Sequence, residues 1–249
     1  MCTATQGAYT LLTGASSGIG ESLAITMSRD HDLILNGRDA DRLQSTVRRS
    51  SRPEAHYVWP CDLADPAAAS ESLNDFISTQ HFRVSNFVHC AGVVHLSPIR
   101  HTALEQMFDL FSVNLFSVVA ILRVLMLQRS GPVHLRNVLI ISSAAALLGE
   151  KGVALYSASK GAVNALVEAL AAELAPAVRV NAILPGLVKT PMSESTIRSA
   201  DFADQVGPKY PLGVGETGDV VNLAMYLLSS RARWVTGALW VIDGGRTTS

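Results

Sequence analysis

The chain has 249 residues, 48% of them hydrophobic and 16% charged, which is material for one large α/β domain or two small ones with a sizeable buried core. A net charge of −1 without any long basic run argues against nucleic acid or an anionic membrane as partner. Three cysteines, Cys2, Cys61 and Cys90, are odd in number and lack CxxC spacing, which excludes a disulfide framework and fits a reducing, cytoplasmic compartment.

In chain order, residues 1–9 are short and mixed, with no positive start and no signal-like apolar stretch, so no leader is expected. Nowhere do about 18 apolar residues run uninterrupted, so no transmembrane helix is expected either. An apolar run over 8–13 reads as the first strand, followed by a glycine-rich turn and a helix over 19–28. A second strand at 32–36, a helix at 40–49 and a third strand at 56–59 come next. A fourth strand at 86–89 precedes a long helix over 102–128. A fifth strand covers 138–142, then a helix rich in Ala, Leu and Glu covers 154–174. A sixth strand at 179–184, a helix at 220–229 and a last strand at 238–242 complete the alternation. The pattern predicts one α/β domain over 1–249, a doubly wound parallel sheet of about seven strands with helices on both faces. Such sheets bind ligands beyond the carboxyl ends of their strands.

Thr13-Gly14-Ala15-Ser16-Ser17-Gly18-Ile19-Gly20 sits where the first strand turns into the first helix. Its glycines allow a tight turn and close backbone approach to a pyrophosphate, and the helix N-terminus offers unpaired N–H groups. The spacing is GxxxGxG rather than GxGxxG, and taken alone it also reads as a plain βα loop. At the end of the second strand, a dinucleotide binder selective for NAD needs an acidic residue. Here the order is Asn36-Gly37-Arg38, and a guanidinium suits a 2′-phosphate, so NADP(H) is expected over NAD(H). The competing reading is a solvated Arg38 among Asp39, Asp41 and Arg42. Asp62-Leu63, after the third strand, is placed to contact the adenine, or to cap a turn near Pro66.

Tyr156 and Lys160 lie four residues apart on the 154–174 helix, hence on one face about one turn apart. A phenol with an ordinary pKa of about 10 is a poor acid or base at neutral pH, and a nearby cation lowers that value. The pair is therefore suited to proton exchange with an alcohol or carbonyl, although such spacing is often only a packed ring beside a solvated amine.

Together these motifs resemble the short-chain dehydrogenase/reductase family, of the single-domain type, over nearly the whole chain. TGxxxGxG over 13–20 and YxxxK over 156–160 match as they stand. Ser143 lies thirteen residues before Tyr156, the family's place for a catalytic serine, with Ser142 the competing candidate. Asn114 matches the helix asparagine of the family's tetrad. Pro185-Gly186 with Val188 and Thr190-Pro191 matches the segment that touches the nicotinamide carboxamide, and Asp243-Gly244-Gly245 the usual ending. The family's NNAG appears as His89-Cys90-Ala91-Gly92, where Ala91 and Gly92 still allow approach to the adenosine ribose and His89 and Cys90 read as packing residues. The seven histidines show no ligand spacing with one another, so no metal is expected.

The resemblance implies a Rossmann-type fold and an oxidoreductase. Tyr156 is implied as the acid/base, with Lys160 lowering its pKa and holding the nicotinamide ribose. Ser143 is implied to bind the substrate oxygen, and Asn114 to hold a kink and a proton-relaying water. The implied reaction interconverts a ketone and a secondary alcohol. Reduction of a 3-oxoacyl thioester, as in 3-oxoacyl-carrier-protein reductase-like members, and a sugar or polyol dehydrogenase are alternatives, and a non-catalytic cofactor-binding sensor is a third. Carrier-protein enzymes tend to be basic near the end of the tyrosine helix. Here that place reads Ala175-Pro176-Ala177, with only Arg129 nearby. The stretch 188–213 reads as a substrate lid, with Met192, Ile197, Phe202, Val206 and Tyr210 as apolar surface and Val94, Leu147 and Leu148 as further wall. Apolar surface on the helices from Thr102 and from Ala154 is available to bury between subunits, and the resemblance implies a homotetramer, with a dimer second.

Overall fold

Leu11 and Leu12 are neighbours in sequence yet belong to different hydrophobic cores. Successive residues of a strand point to opposite faces, so a strand apolar on both must be covered twice. The computed structural model describes residues 8–127, 134–199 and 202–248. Cys2, Arg129 and the end of the helix expected to reach Gln128 lie outside the described residues.

The strands are β1 (Ala8–Thr13), β2 (Asp32–Gly37), β3 (His56–Pro60), β4 (Arg83–His89), β5 (Asn137–Ile141), β6 (Arg179–Pro185) and β7 (Leu239–Ile242). They form one seven-stranded sheet in the order β3-β2-β1-β4-β5-β6-β7, and every neighbouring pair is parallel. The order reverses between β1 and β4, the switch point at which doubly wound sheets bind dinucleotides. The helices are α1 (Gly18–Met27), α2 (Ala40–Arg49), α3 (Pro66–Gln80), α4 (Leu104–Phe111), α5 (Ser117–Met126), α6 (Ala154–Leu174), α7 (Glu194–Ile197) and α8 (Thr217–Leu228). One face carries Leu11, Ile34, Phe87, Val138 and Val180 against α3, α5 and α6. The other carries Leu12, Leu33, Leu35, Val88 and Ile183 against α1, α2 and α8. This is the expected Rossmann-type architecture.

Two departures from the sequence expectations have local causes. Helix α3 was not among the expected elements, although Asp65-Pro66 is a start signal. Asp65 accepts from the N–H groups of Ala67 and Ala68 at 3.1 and 3.0 Å, and Pro66 fills the first helical position, where no N–H is needed. The long helix expected over 102–128 is instead α4 and α5 joined by a π-helical turn over Ser112–Phe116. The run Leu104–Met126 has the length and mean hydropathy, 1.9, of a membrane span, but half of that window is buried within the protein. It reads as a core helix with one outward face.

Candidate active site

The β1–α1 turn shows why glycine occupies its positions. Gly14 has φ +67°, and a Cβ there would stand 2.7 Å from the backbone nitrogen of Ala91. A Cβ on Gly20 would stand 2.2 Å from the carbonyl oxygen of Gly14. Gly18 in turn lies against the Thr190 side chain, 3.3 Å from the place of its missing Cβ. Residues of the first, fourth and sixth strand ends are thereby brought into one corner. Ser17 takes the cap position of α1 in extended backbone but makes no side-chain capping bond, so the N–H groups of the first turn are left to a ligand.

The end of β2 carries no acidic side chain, and its order is Asn36-Gly37-Arg38. A Cβ on Gly37 would lie 3.1 Å from Ser16 Oγ and 3.2 Å from Leu43 Cδ2, so any larger side chain there would press on both. Arg38 is exposed and makes no ion pair among the described residues, while Asp39 is committed to capping α2 through Arg42 N at 3.0 Å. At the end of β3, Asp62 accepts from Ala64 N at 3.0 Å and Leu63 is buried. Asp62 thus makes a turn, and the helix cap near Pro66 falls to Asp65. Ala91 and Gly92 follow β4. Pro185, Gly186, Val188 and Thr190 follow β6, where Gly186 packs so closely on Asp243 that a Cβ would meet its Cα at 2.8 Å. The residues present fit a dinucleotide lying across the carboxyl ends of β1, β2, β4 and β6.

Tyr156 stands in the first turn of α6, with Lys160 one turn further. The Lys160 ammonium is 6.0 Å from the centre of the Tyr156 ring and donates to the carbonyl of Ile141, the last residue of β5, at 3.0 Å. Burial lowers the amine's pKa to about 8. The phenol departs from the sequence expectation. Burial raises its pKa above the ordinary value, opposed only by a hydrogen bond with Ser143. The ammonium is turned toward Ile141, and desolvation of the phenolate dominates.

The two serine candidates separate cleanly. Ser142 is buried and donates to Asn164 Oδ1 at 2.7 Å and to the Lys160 carbonyl at 3.3 Å, so it ties β5 to α6. Ser143 accepts from Ala145 N at 3.1 Å and is a hydrogen-bond partner of Tyr156. Asn114 lies in the π-helical turn and is fully buried. Its amide donates to the Val93 carbonyl and to Ser159 Oγ, both at 3.1 Å, and its oxygen accepts from Val93 N at 2.9 Å. Both side-chain protons are spent on clamping the loop after β4 to α6, and Ser159 passes the clamp to the Tyr156 carbonyl at 2.8 Å. π-Turns interrupt the regular helical bonding and recur at functional sites, and Asn114 sits at this interruption with its side chain fully engaged. A Cβ on Gly92 would lie 3.3 Å from Asn114 Oδ1 and 3.6 Å from Lys160 Nζ.

His89 and Cys90 are packing residues, as expected. His89 is fully buried, bonds Thr13 Oγ1 through Nδ1 at 3.0 Å, and has its pKa lowered to about 3, first by burial and then by the Lys160 charge. Thr13 Oγ1 also accepts from Ala91 N at 3.2 Å, so His89 ties the first strand end to the fourth. Burial pushes the Cys90 thiol up to about 12, away from the thiolate form. Among the lid residues, α7 and Lys189, Thr190 and Pro191 line a shallow cavity of about 390 Å³ beside Gly18. Met192 and Leu147 are exposed. Sequence reading passed over Ser159, Ile141, Glu150 and Arg246. Ser159 lies inside the YxxxK motif itself, whereas the others carry no local signal.

The family model described as enoyl-(acyl carrier protein) reductase matches residues 14–247. L-Xylulose reductase of Bos taurus is 32% identical over 246 residues, covering 96% of each chain. Cyclopentanol dehydrogenase of a Comamonas strain is 28% identical over 245 residues, again covering 96% of each. A solved short-chain dehydrogenase/reductase from Brucella melitensis, titled a glucose/ribitol dehydrogenase, superposes with a TM-score of 0.86 at 25% identity, covering 96% of each chain.

Proposed function

Since the chain belongs to the short-chain dehydrogenase/reductase family, we propose that it is an NADP(H)-dependent oxidoreductase interconverting a ketone and a secondary alcohol. The carrying observation is the convergence of Ser143, Tyr156 and Lys160 at the ends of β5 and α6, with Asn114 clamping the facing loop. NADPH, when bound, supplies the hydride for the carbonyl carbon. The phenol, held protonated by burial, donates its proton to the carbonyl oxygen as that oxygen becomes an alcohol. The Ser143 hydroxyl reaches the same oxygen and stabilises its developing charge. The phenolate left behind takes a proton from solvent, and the Lys160 ammonium, 6.0 Å from the ring centre, favours its charge until then.

Selectivity for NADP(H) rests on Arg38 and the crowded Gly37. Gly14, Ser16, Ser17, Gly18, Ile19 and Gly20 would hold the pyrophosphate. Asp62, Leu63, Ala91 and Gly92 would hold the adenosine, and Pro185, Gly186, Val188 and Thr190 the nicotinamide. One relative is described as an NADP-dependent (R)-specific alcohol dehydrogenase, from Lentilactobacillus kefiri, and is 29% identical over 248 residues. The substrate class follows the relatives, a small ketone or sugar. The thioester alternative draws on the family model's description, without the basic residues expected at Ala175-Pro176-Ala177. The free thiols of Cys61 and Cys90 among the described residues support the reading of a reducing, cytoplasmic compartment. Phe108, 69% exposed, and Phe116, 47% exposed, with Leu104 and Leu127 form an outward apolar stripe on α4 and α5. A second copy of the chain is its natural cover, and a homotetramer is expected.

The test is NADPH consumption with cyclopentanone, L-xylulose and an acetoacetyl thioester, using wild type and Tyr156→Phe. Losing the proton donor is expected to lower kcat by about 10²–10⁴-fold, with NADPH affinity within a few-fold. Near wild-type turnover by the variant removes the acid/base assignment. Turnover of the thioester alone moves the chain to the carrier-protein reductases.

A further inference from the structure

The C-terminal turn closes on two other segments at the substrate end. Asp243, which follows β7, is buried, and its carboxylate accepts from Gly245 N at 3.0 Å and Thr247 N at 2.7 Å. Gly244 and Gly245 take φ +62° and +86°, values that suit glycine. They lay the turn against 211–213. Leu212 N donates to the Gly244 carbonyl at 3.0 Å, and a Cβ on Gly245 would touch Pro211 at 3.2 Å. The same turn delivers Arg246, whose guanidinium pairs with Glu150. The arginine side chain is only 11% exposed and the glutamate 36%, so the pair is partly desolvated. Glu150 lies in the loop between Ser143 and Tyr156, whose far side is held by Ser97 N donating to the Gly152 carbonyl at 2.8 Å.

Tyr210 stands between these segments. Its Cε1 would be 3.0 Å from a Cβ on Gly186, beside the strand end assigned to the nicotinamide. The backbone of Leu187 hydrogen-bonds its phenol, and Glu150, Arg246 and Asp243 all act on it electrostatically. Three segments distant in sequence thus meet at one side chain. Leu212 N, donating to the Gly244 carbonyl, joins the lid to the C-terminal turn, and the Glu150–Arg246 pair joins that turn to the 149–152 loop. Ser143, Tyr156 and Lys160 are held independently, by β5 and α6.

We propose that Arg246 and Glu150 are positioning residues that hold Tyr210 and the 149–152 loop in place and so set the affinity for the carbonyl substrate, while leaving cofactor binding and the proton-transfer step alone. The effect on substrate rests on the oxidoreductase reading above, whereas the clamp itself does not. Its test uses Arg246→Gln, Glu150→Gln and the conservative Arg246→Lys, read in two ways. By amide hydrogen exchange, the segments at Ser97, whose N–H donates to Gly152, and at 210–213 are expected to exchange about tenfold faster in Arg246→Gln and Glu150→Gln, with α1 and β1 unchanged and Arg246→Lys close to wild type. Unchanged exchange in both segments overturns the clamp, whatever the enzyme turns over. By steady-state kinetics with the ketone wild type reduces best, KM is expected to rise about tenfold with kcat within about twofold. NADPH affinity should not change, and Arg246→Lys should recover KM. A fall in kcat at constant KM, or an equal loss of NADPH affinity, overturns the assignment to the substrate end. Absence of turnover by wild type would count against the oxidoreductase reading, and the exchange measurement would still decide the clamp.

Discussion

Lys160 offers a quantitative test of how the site is built. Its side chain is buried and its one direct bond among the described residues is to the Ile141 carbonyl. Lowering an amine's pKa from 10.5 to about 8 corresponds to about 3 kcal/mol against the charged form, at about 1.36 kcal/mol per tenfold change. Replacing Lys160 with Met removes that cost but strands the Ile141 carbonyl, a loss of about 1–2 kcal/mol. Without nucleotide at pH 7, the variant is therefore expected to be more stable than wild type by about 1–2 kcal/mol, or roughly 3–6 °C in Tm for a chain of this size. The pH dependence has a definite sign. Below pH 8 folded and unfolded chains both hold the lysine proton, so the gain is constant. Between about 8 and 10.5 the unfolded chain holds a proton that the folded one has released, so wild type gains stability as pH rises. The advantage of Lys160→Met should accordingly vanish by about pH 10. Urea unfolding of both proteins at pH 7, 8.5 and 10 reads this directly, because other titrating groups cancel in the difference. A variant less stable at pH 7, or a difference independent of pH, refutes the reasoning. Turnover should be lost throughout, which would place Lys160 among residues kept for function at the expense of stability.

Arg38→Ala should weaken NADPH by about 1.5–3 kcal/mol, the worth of a hydrogen bond to a charged group, and leave NADH nearly untouched; equal losses for both cofactors in titration calorimetry would remove the phosphate-clamp reading. Gly20→Ala forces a methyl against the Gly14 carbonyl, a backbone atom that cannot swing away. A destabilisation of about 1–3 kcal/mol with loss of nucleotide binding is expected in thermal melts and fluorescence titration, and unchanged NADPH affinity would contradict the packed-turn account. Phe108→Glu places a charge in the centre of the α4–α5 stripe; light scattering should show a smaller assembly than wild type, and a wild type already monomeric would defeat the oligomer proposal.

Much of this protein was legible without coordinates because its signals are local. Glycines at 14, 18 and 20 answer to backbone conformation and close approach, and α6 begins and ends where composition places it. Strands with two apolar faces imply a doubly covered sheet. Helix α3 was also legible in Asp65-Pro66, although the alternation pattern alone did not require it. Tertiary structure decided what depends on orientation between elements. Spacing on a helix brings Lys160 near Tyr156, but the ammonium's partner is the end of β5, and so the phenol's proton affinity goes up rather than down. Ser142 and Ser143 are equivalent as residue types; the strand pleat sends one into the α6 interface and the other toward the phenol. Asn114 reads as a lone polar residue until the π-helical turn, Val93 and Ser159 give it all its partners. The Glu150–Arg246 pair spans 96 residues, and no local pattern marks either member. Composition and periodicity determine which elements form and which faces they bury, because those preferences act over a few residues. Proton affinities and partner choices depend on desolvation and on which buried carbonyl or carboxylate lies within about 3 Å, and only the packed sheet and its helices set those.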